Sequence, residues 1–203
     1  MLRRETCQVF LLFIELVLVT AAVCILAHGR APGLPTTLWT AGGGEPGWNS
    51  NPWHRIYFYA NHKQPPDVPN AWTENLGDSL LGISILNAAI WATKVAMFRS
   101  SIDPPWVGAV YDLLLSGLWM YGVNAQSSRD LTNTQHLNPQ PCYPSCAEAS
   151  GRDDVLPLCG QGKASFTVAV VALIFYFVRS IWSVLRLAAG LDNIGENEEK
   201  EIV

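Results

Sequence analysis

The sequence is poor in charge and in recognisable catalytic motifs. Only 15% of its 203 residues are charged, against about 25% in an ordinary soluble domain, and the net charge is −4. A nucleic-acid interface needs a surplus of Lys and Arg, so its absence excludes that class of partner. The chain has no phosphate-binding loop, no G-x-S-x-G, no H-E-x-x-H and no N-x-[ST] sequon. We therefore expect no catalytic residues, no cofactor and no N-glycosylation.

Four long apolar runs hold most of the hydrophobic residues. They cover residues 8–27, 79–98, 106–125 and 165–187. Each is close to the ~20 residues that a helix needs to cross a ~30 Å hydrocarbon layer. None shows the polar stripe of a soluble helix, and the chain lacks the polar outer helices that would cover a large soluble core. We predict an all-α integral membrane domain over residues 1–190, a four-helix transmembrane bundle with two long non-cytoplasmic loops.

Basic residues gather at one end of each run. They are Arg3, Arg4, Lys94, Arg99 and Arg186. By the positive-inside rule these ends face the cytoplasm, which places both termini there and the loops 28–78 and 126–164 outside or in a lumen. A cleaved signal peptide is the alternative for the first run, but the length of that run and the charge inside it favour a retained helix. The acidic tail 191–203 is predicted to be disordered, and the membrane is the plasma membrane or one of the secretory pathway.

Each apolar run also carries a charge within it, in chain order Glu15, Lys94, Asp112 and Arg179. If alternate helices run in opposite directions, a rise of 1.5 Å per residue places all four roughly 6–12 Å from the cytoplasmic edge. Charges at such depth tend to face the bundle interior and pair. We predict that the two bases neutralise the two acids, with Asp112–Arg179 as the favoured pair because it joins adjacent helices.

Two questions about this layer stay open at the level of sequence. The long side chains of Lys94 and Arg179 can instead extend to the headgroups, whereas the short side chains of Glu15 and Asp112 need partners inside the bundle. The layer is either a structural clamp or a proton or ion relay. Of these, we favour the clamp.

The five cysteines divide according to the predicted topology. Cys142, Cys146 and Cys159 fall in the second outer loop, and Cys24 lies near the outer end of the first helix. Thiols on an oxidising face are disulfide candidates, and we favour a bridge from Cys142 or Cys146 to Cys159, with the connectivity left open. The C-x3-C-x12-C spacing permits zinc, but no histidine follows it, so no metal is predicted. Cys7 is cytoplasmic and juxtamembrane, where S-palmitoylation and a chance cysteine are equal alternatives.

The third run reads "YDLLLSGLWMYG" and resembles an Asp-Leu-Leu-x-x-Leu-Trp pattern of MARVEL-type membrane proteins, especially fungal ones. Asp112, Leu113, Leu114 and Trp119 carry it here, with a shifted spacing. The loop "SSRDLTNTQHLNPQP" and the segment "KASFTVAVVALIFY" are similar to the same group, and the resemblance is best over residues 106–187. Claudins share the topology, but their W-G-L-W-C-C signature is missing.

The resemblance implies a non-enzymatic tetraspanning protein that organises membrane domains, membrane apposition or vesicle trafficking. Its partners would be the lipid bilayer and other membrane proteins or further copies of itself. The alternative is a small membrane-embedded enzyme or transport helper that acts on lipophilic substrates, with the buried Asp112 and Glu15 as proton donors.

Overall fold

The computed structural model describes residues 2–29, 73–100, 104–130, 138–141 and 156–189. Within these ranges lie four long helices, α1 (Leu2–Gly29), α2 (Glu74–Arg99), α3 (Pro105–Gln126) and α4 (Leu156–Ala188). All four are long and apolar enough to cross a membrane. The prediction of a multi-pass, helical membrane protein is confirmed to that extent.

The helices extend beyond the apolar runs that predict them. The largest difference is at α4, which begins at Leu156 rather than near residue 165. Cys159, predicted in a loop, therefore lies in the first turn of this helix, fully buried, and the prediction of its place was wrong. Hydropathy marks only the part of a helix inside hydrocarbon, whereas backbone hydrogen bonding continues through the interface. Pro157 is compatible with this start, because the backbone N–H groups of the first helical turn have no acceptor within the helix and the N–H that proline lacks is not needed.

Two prolines separate α2 from α3. Pro104 disfavours a helical conformation in the residue before it, and Pro105 takes the first position of α3, where a missing N–H costs nothing. At the end of α2, the Ser100 backbone N–H donates to the Ala96 carbonyl at 3.0 Å. The short connection makes these two helices antiparallel neighbours.

Two contacts at different heights show that α1 and α4 are also antiparallel. Gln161, early in α4, donates through Nε2 to the carbonyl of Ile25, late in α1, at 2.6 Å. Arg179, late in α4, contacts Glu15 in the middle of α1. The start of α1 and the end of α4 therefore lie on one side of the bundle, here named the terminal side. The opposite side, from which the two long connections leave, is named the loop side.

Each helix has two main neighbours. The α3–α4 contact is the most extensive, α1 packs on α2 and α4, and α2 packs on α3. The four helices thus form a square in which α1 is diagonal to α3 and α2 is diagonal to α4. At the loop side α2 and α3 approach closely at Gly122, where a Cβ atom would lie 2.7 Å from Leu80 Cδ2.

The bundle has an apolar core and an apolar surface. The larger buried side chains are Leu76, Leu80, Leu115, Trp119 and Tyr176. Facing outward are Phe13, Leu113 and Met120, each more than 60% exposed. A soluble protein rarely exposes apolar area on this scale, so the surface fits hydrocarbon surroundings.

A short antiparallel strand pair follows α3 on the loop side. It joins β1 (Arg129–Asp130) to β2 (Asn138–Pro141), within a segment predicted only as loop. The rest of the two long connections and the acidic tail 191–203 lie outside the described residues, and their predictions remain predictions.

Candidate functional site

The structure brings together the four charges that the helices carry in their interior. Lys94 Nζ lies 2.9 Å from Glu15 Oε1 and 2.7 Å from Asp112 Oδ1. Arg179 Nη1 lies 2.6 Å from Glu15 Oε2, and its Nε lies 3.3 Å from Asp112 Oδ2. Each acid therefore contacts both bases. The four residues, Glu15, Lys94, Asp112 and Arg179, form a closed set of ion pairs that we name the charge ring.

The signs of the charges alternate around the square of helices. The acids come from the diagonal helices α1 and α3, and the bases come from the diagonal helices α2 and α4. Every charge thus has opposite charges on both adjacent helices and a like charge only across the diagonal. The formal charge of the ring is zero. Pairing with the bases therefore offsets the free-energy cost of placing each carboxylate in an apolar run.

The side chains of Lys94 and Arg179 point into the bundle, where they contact the two carboxylates. The carboxylates of Glu15 and Asp112 are 0% and 1% exposed, while Lys94 is 9% and Arg179 20% exposed. The favoured pair Asp112–Arg179 is present, but as the longest of the four contacts. Counting residues gives the depth of each Cα atom, whereas the reach of a long side chain decides which contact is shortest.

All four carboxylate oxygens of the ring are occupied. Oε1 of Glu15 contacts Lys94 and Oε2 contacts Arg179, while Oδ1 of Asp112 contacts Lys94 and Oδ2 contacts Arg179. A general acid or base must reach the group with which it exchanges a proton. These oxygens face cations instead, so the arrangement favours holding charges in place over passing protons to a substrate.

Tyr176 and Asn87 extend the ring toward the loop side. The Tyr176 hydroxyl lies 2.6 Å from Asn87 Oδ1 and 3.1 Å from Glu15 Oε1, and both residues are fully buried. Tyr176 lies one turn before Arg179 on the same face of α4. Sequence reasoning missed it, although a tyrosine spaced three residues from a buried charge was the available signal.

Aromatic rings support both bases of the charge ring. Lys94 Nζ lies 5.5 Å from the centroid of the Tyr176 ring, and Arg179 Cζ lies 5.3 Å from that of Phe175. A cation within about 6 Å of a ring centroid is attracted by the π electrons. The aromatic residues therefore share in holding the cations at this depth.

Three buried N–H donors have no acceptor within the part of the chain that the structure describes. They are Asn87 Nδ2, Trp119 Nε1 and Gln126 Nε2. They lie on α2 and α3, between the charge ring and the loop side. The side-chain oxygen Oε1 of Gln126, by contrast, accepts from the Ser165 hydroxyl at 3.2 Å.

The structure separates the predicted cysteine sites. Cys7 and Cys24 have exposed, free thiols toward the terminal and loop ends of α1, and Cys159 is buried in α4. Cys142 and Cys146 lie outside the described residues. Palmitoylation and the disulfide bond stay predictions. Among the residues that the structure describes, no group of three or more His, Cys, Asp or Glu could hold a metal ion.

Comparison with known proteins gives one weak similarity. The chain matches no protein-family profile and no solved structure. It is 28% identical over 112 residues to Kojic acid related protein 1 of Aspergillus oryzae, a match that covers 54% of this chain and 44% of that protein. The chain thus spans less than half the length of this curated relative. The similarity shows no family.

Proposed function

We propose that this chain is a non-enzymatic, tetraspanning membrane protein of MARVEL-like type. It organises membrane domains, membrane apposition or vesicle trafficking, and it acts through the bilayer and through other membrane proteins or copies of itself. Both of its termini are cytoplasmic, in the plasma membrane or a membrane of the secretory pathway. The Asp-Leu-Leu and Trp motif in α3 and the basic ends of the helices support this proposal.

The closed pairing of the charge ring, in which every carboxylate oxygen contacts a base, is the observation that carries the proposal. An enzyme that uses Asp112 or Glu15 as a proton donor needs a carboxylate oxygen open to a substrate. Each of the four oxygens instead contacts Lys94 or Arg179. Residues committed to one another in this way suit a rigid scaffold whose outer face meets lipid.

The Asp112 side chain also occupies the first position of the MARVEL-like motif. Its partner Lys94 lies on α2 and its partner Arg179 on α4, so the motif residue ties three helices together. In this proposal the motif residue is structural. Substitution of Asp112 should therefore impair folding and localisation and should abolish no chemical reaction.

Reconstitution tests the proposal directly. The full chain is placed in giant vesicles whose lipids separate into two liquid phases, and in a second assay in small vesicles whose clustering is followed by light scattering. We expect enrichment in one phase or protein-dependent clustering. Even distribution over both phases together with no clustering would overturn the proposal.

The charge ring supplies a matched variant for the same assays. Asp112→Asn combined with Arg179→Gln keeps the ring neutral, so a scaffold should retain its phase preference or clustering. If Asp112 is a proton donor, the fold survives in this double variant while a turnover or transport activity of the wild type is lost. Detection of such an activity in the wild type, and its loss in the folded double variant, would favour the enzyme or transport helper.

A further inference from the structure

A long groove runs between α1 and α4 on the surface of the bundle. Its volume is about 610 Å³ and apolar side chains of both helices line it. The lining includes Ala21, Ile25, Ala164, Thr167 and Phe175. The hydroxyl of Thr167 donates to the Lys163 carbonyl of its own helix at 2.8 Å. The polar group in the lining is thus already satisfied, and the groove offers hydrocarbon contact.

The two helices are joined at both ends of this groove. On the loop side Gln161 binds the Ile25 carbonyl, and toward the terminal side Arg179 binds Glu15. Between these contacts the lining includes one small residue on each helix, Ala21 on α1 and Ala164 on α4. Because the ends fix the helices in place, the helices do not close over the small residues. The groove is a built feature of the bundle.

The groove is about as long as the hydrocarbon layer of one leaflet is thick. Its lining on α1 extends from Phe13 to Ile25, about 18 Å at 1.5 Å per residue. One leaflet contributes half of a ~30 Å hydrocarbon core, or about 15 Å. Phe175 lines the inner end of the groove and lies beneath the Arg179 guanidinium. The groove therefore extends from the level of the charge ring to the loop side.

Two basic residues lie just beyond the lining of the groove on the loop side. Lys163 lies one turn beyond Thr167 on α4, and His28 lies one turn beyond Ile25 on α1. Residues spaced by three or four positions share a face of a helix, so both flank the groove on its own face. An apolar groove with a cationic end matches a molecule that has a hydrocarbon chain and an anionic headgroup, and basic sites between transmembrane helices bind such headgroups.

We propose that this groove holds one acyl chain of a phospholipid from the loop-side leaflet, with the lipid phosphate beside Lys163 and His28. A helix from a second copy would insert only the side chains of one face into the groove, and it would bring no phosphate to the basic end. This inference goes beyond the proposed function, since a lipid can fill the groove whether or not the protein organises membrane.

A photoreactive lipid tests the inference. The full chain is placed in nanodiscs with a phospholipid that carries a diazirine near the end of one acyl chain, and the labelled peptides are mapped by mass spectrometry. We expect the label on the groove faces of α1 and α4. Ala21→Phe or Ala164→Phe fills the groove and should lower this labelling several-fold. The matched control is Ala92→Phe, at an exposed alanine of α2 outside the groove, which should leave it unchanged.

A second experiment tests the headgroup end of the groove. Lys163→Gln should lower the preference for a phospholipid with an anionic headgroup over a zwitterionic one, with acyl-chain labelling retained.

Each variant is first checked for its melting temperature. If Ala21→Phe does not fold, Ala21→Val is used, and native mass spectrometry counts the retained lipids. Equal groove labelling in the groove variants and in Ala92→Phe would mean contact with bulk lipid only and would overturn the inference. Cross-links between the grooves of two chains would overturn it in favour of a second copy.

Discussion

Neutralising one member of the charge ring should destabilise the bundle strongly. Asp112→Asn leaves three charges with a net charge of +1, and both bases then share Glu15 alone. By analogy with broken buried ion pairs, the free energy of unfolding should fall by about 3–5 kcal/mol. Glu15→Gln should cost more than Asp112→Asn, because Glu15 has the shorter contact with Arg179 and is also close to the Tyr176 hydroxyl.

The closed geometry predicts the sign of the coupling between any two neutralised positions. Each acid contacts both bases, so every double variant that removes one acid and one base restores neutrality. Each of the four combinations should be less damaging than the sum of its single variants, by about 0.5–3 kcal/mol. Glu15→Gln with Asp112→Asn leaves two cations without an acid, and this double variant should be more damaging than the sum.

Exchanging charges gives a further test of the alternation. Asp112→Arg with Arg179→Asp keeps the ring neutral but places a new cation beside Lys94 and a new acid beside Glu15. Two neighbouring pairs then attract and two repel, whereas all four attract in the wild type. Folding should therefore be restored only in part. An isolated pair of Asp112 and Arg179 would tolerate the exchange far better.

The free energies are measured by reversible unfolding in mixed micelles as the fraction of denaturing detergent rises. Tryptophan fluorescence, to which the fully buried Trp119 contributes, reports the loss of the core. Arg99→Gln, at an exposed position in the last turn of α2 outside the ring, is the control and should change the free energy by no more than about 0.5 kcal/mol. Additive losses in both kinds of double variant would refute the reasoning, because residues that do not meet show no coupling.

The remaining predictions concern topology and the cysteines. A reporter fused beyond residue 191 should be cytosolic and one within residues 28–78 should not; both reporters on one side would refute the topology. Without a reducing agent, Cys159 and either Cys142 or Cys146 should resist alkylation even in denaturing detergent, which removes protection by burial. Full labelling of all three thiols would exclude the bridge.

The sequence predicted the helices well because a bilayer restricts which segments can cross it. The length and composition of an apolar run are sufficient to mark a span. The ends of the helices were predicted less well. α4 continues outward to Leu156 through a segment whose Gly, Gln and Lys residues have low hydropathy, and there backbone hydrogen bonds decide the boundary. The strand pair β1–β2 has no periodicity in sequence that would reveal it.

Counting residues along each helix also placed the four interior charges at one depth. What this count could not supply was the order of the helices around the square, on which the alternation of charge depends. Nor could it supply the contact of Tyr176 with Asn87, because that contact joins diagonal helices. Both depend on the rotation of each helix about its axis, which is set by packing across the whole bundle.

Each helix contributes one member of the charge ring, and this has a consequence for biosynthesis. When the first three helices have entered the membrane, two acids are balanced by Lys94 alone, so the nascent protein holds one unbalanced negative charge. A charge within the membrane opposes insertion of its helix, by up to about 2.5–3.5 kcal/mol at the centre of the helix, and that penalty is offset for the last acid only when Arg179 arrives with α4. A chain that stops short of α4 thus keeps an exposed polar defect within the bilayer. Charge balance within the bundle is complete only when α4 is in place, so a copy that lacks α4 differs physically from one that has all four helices.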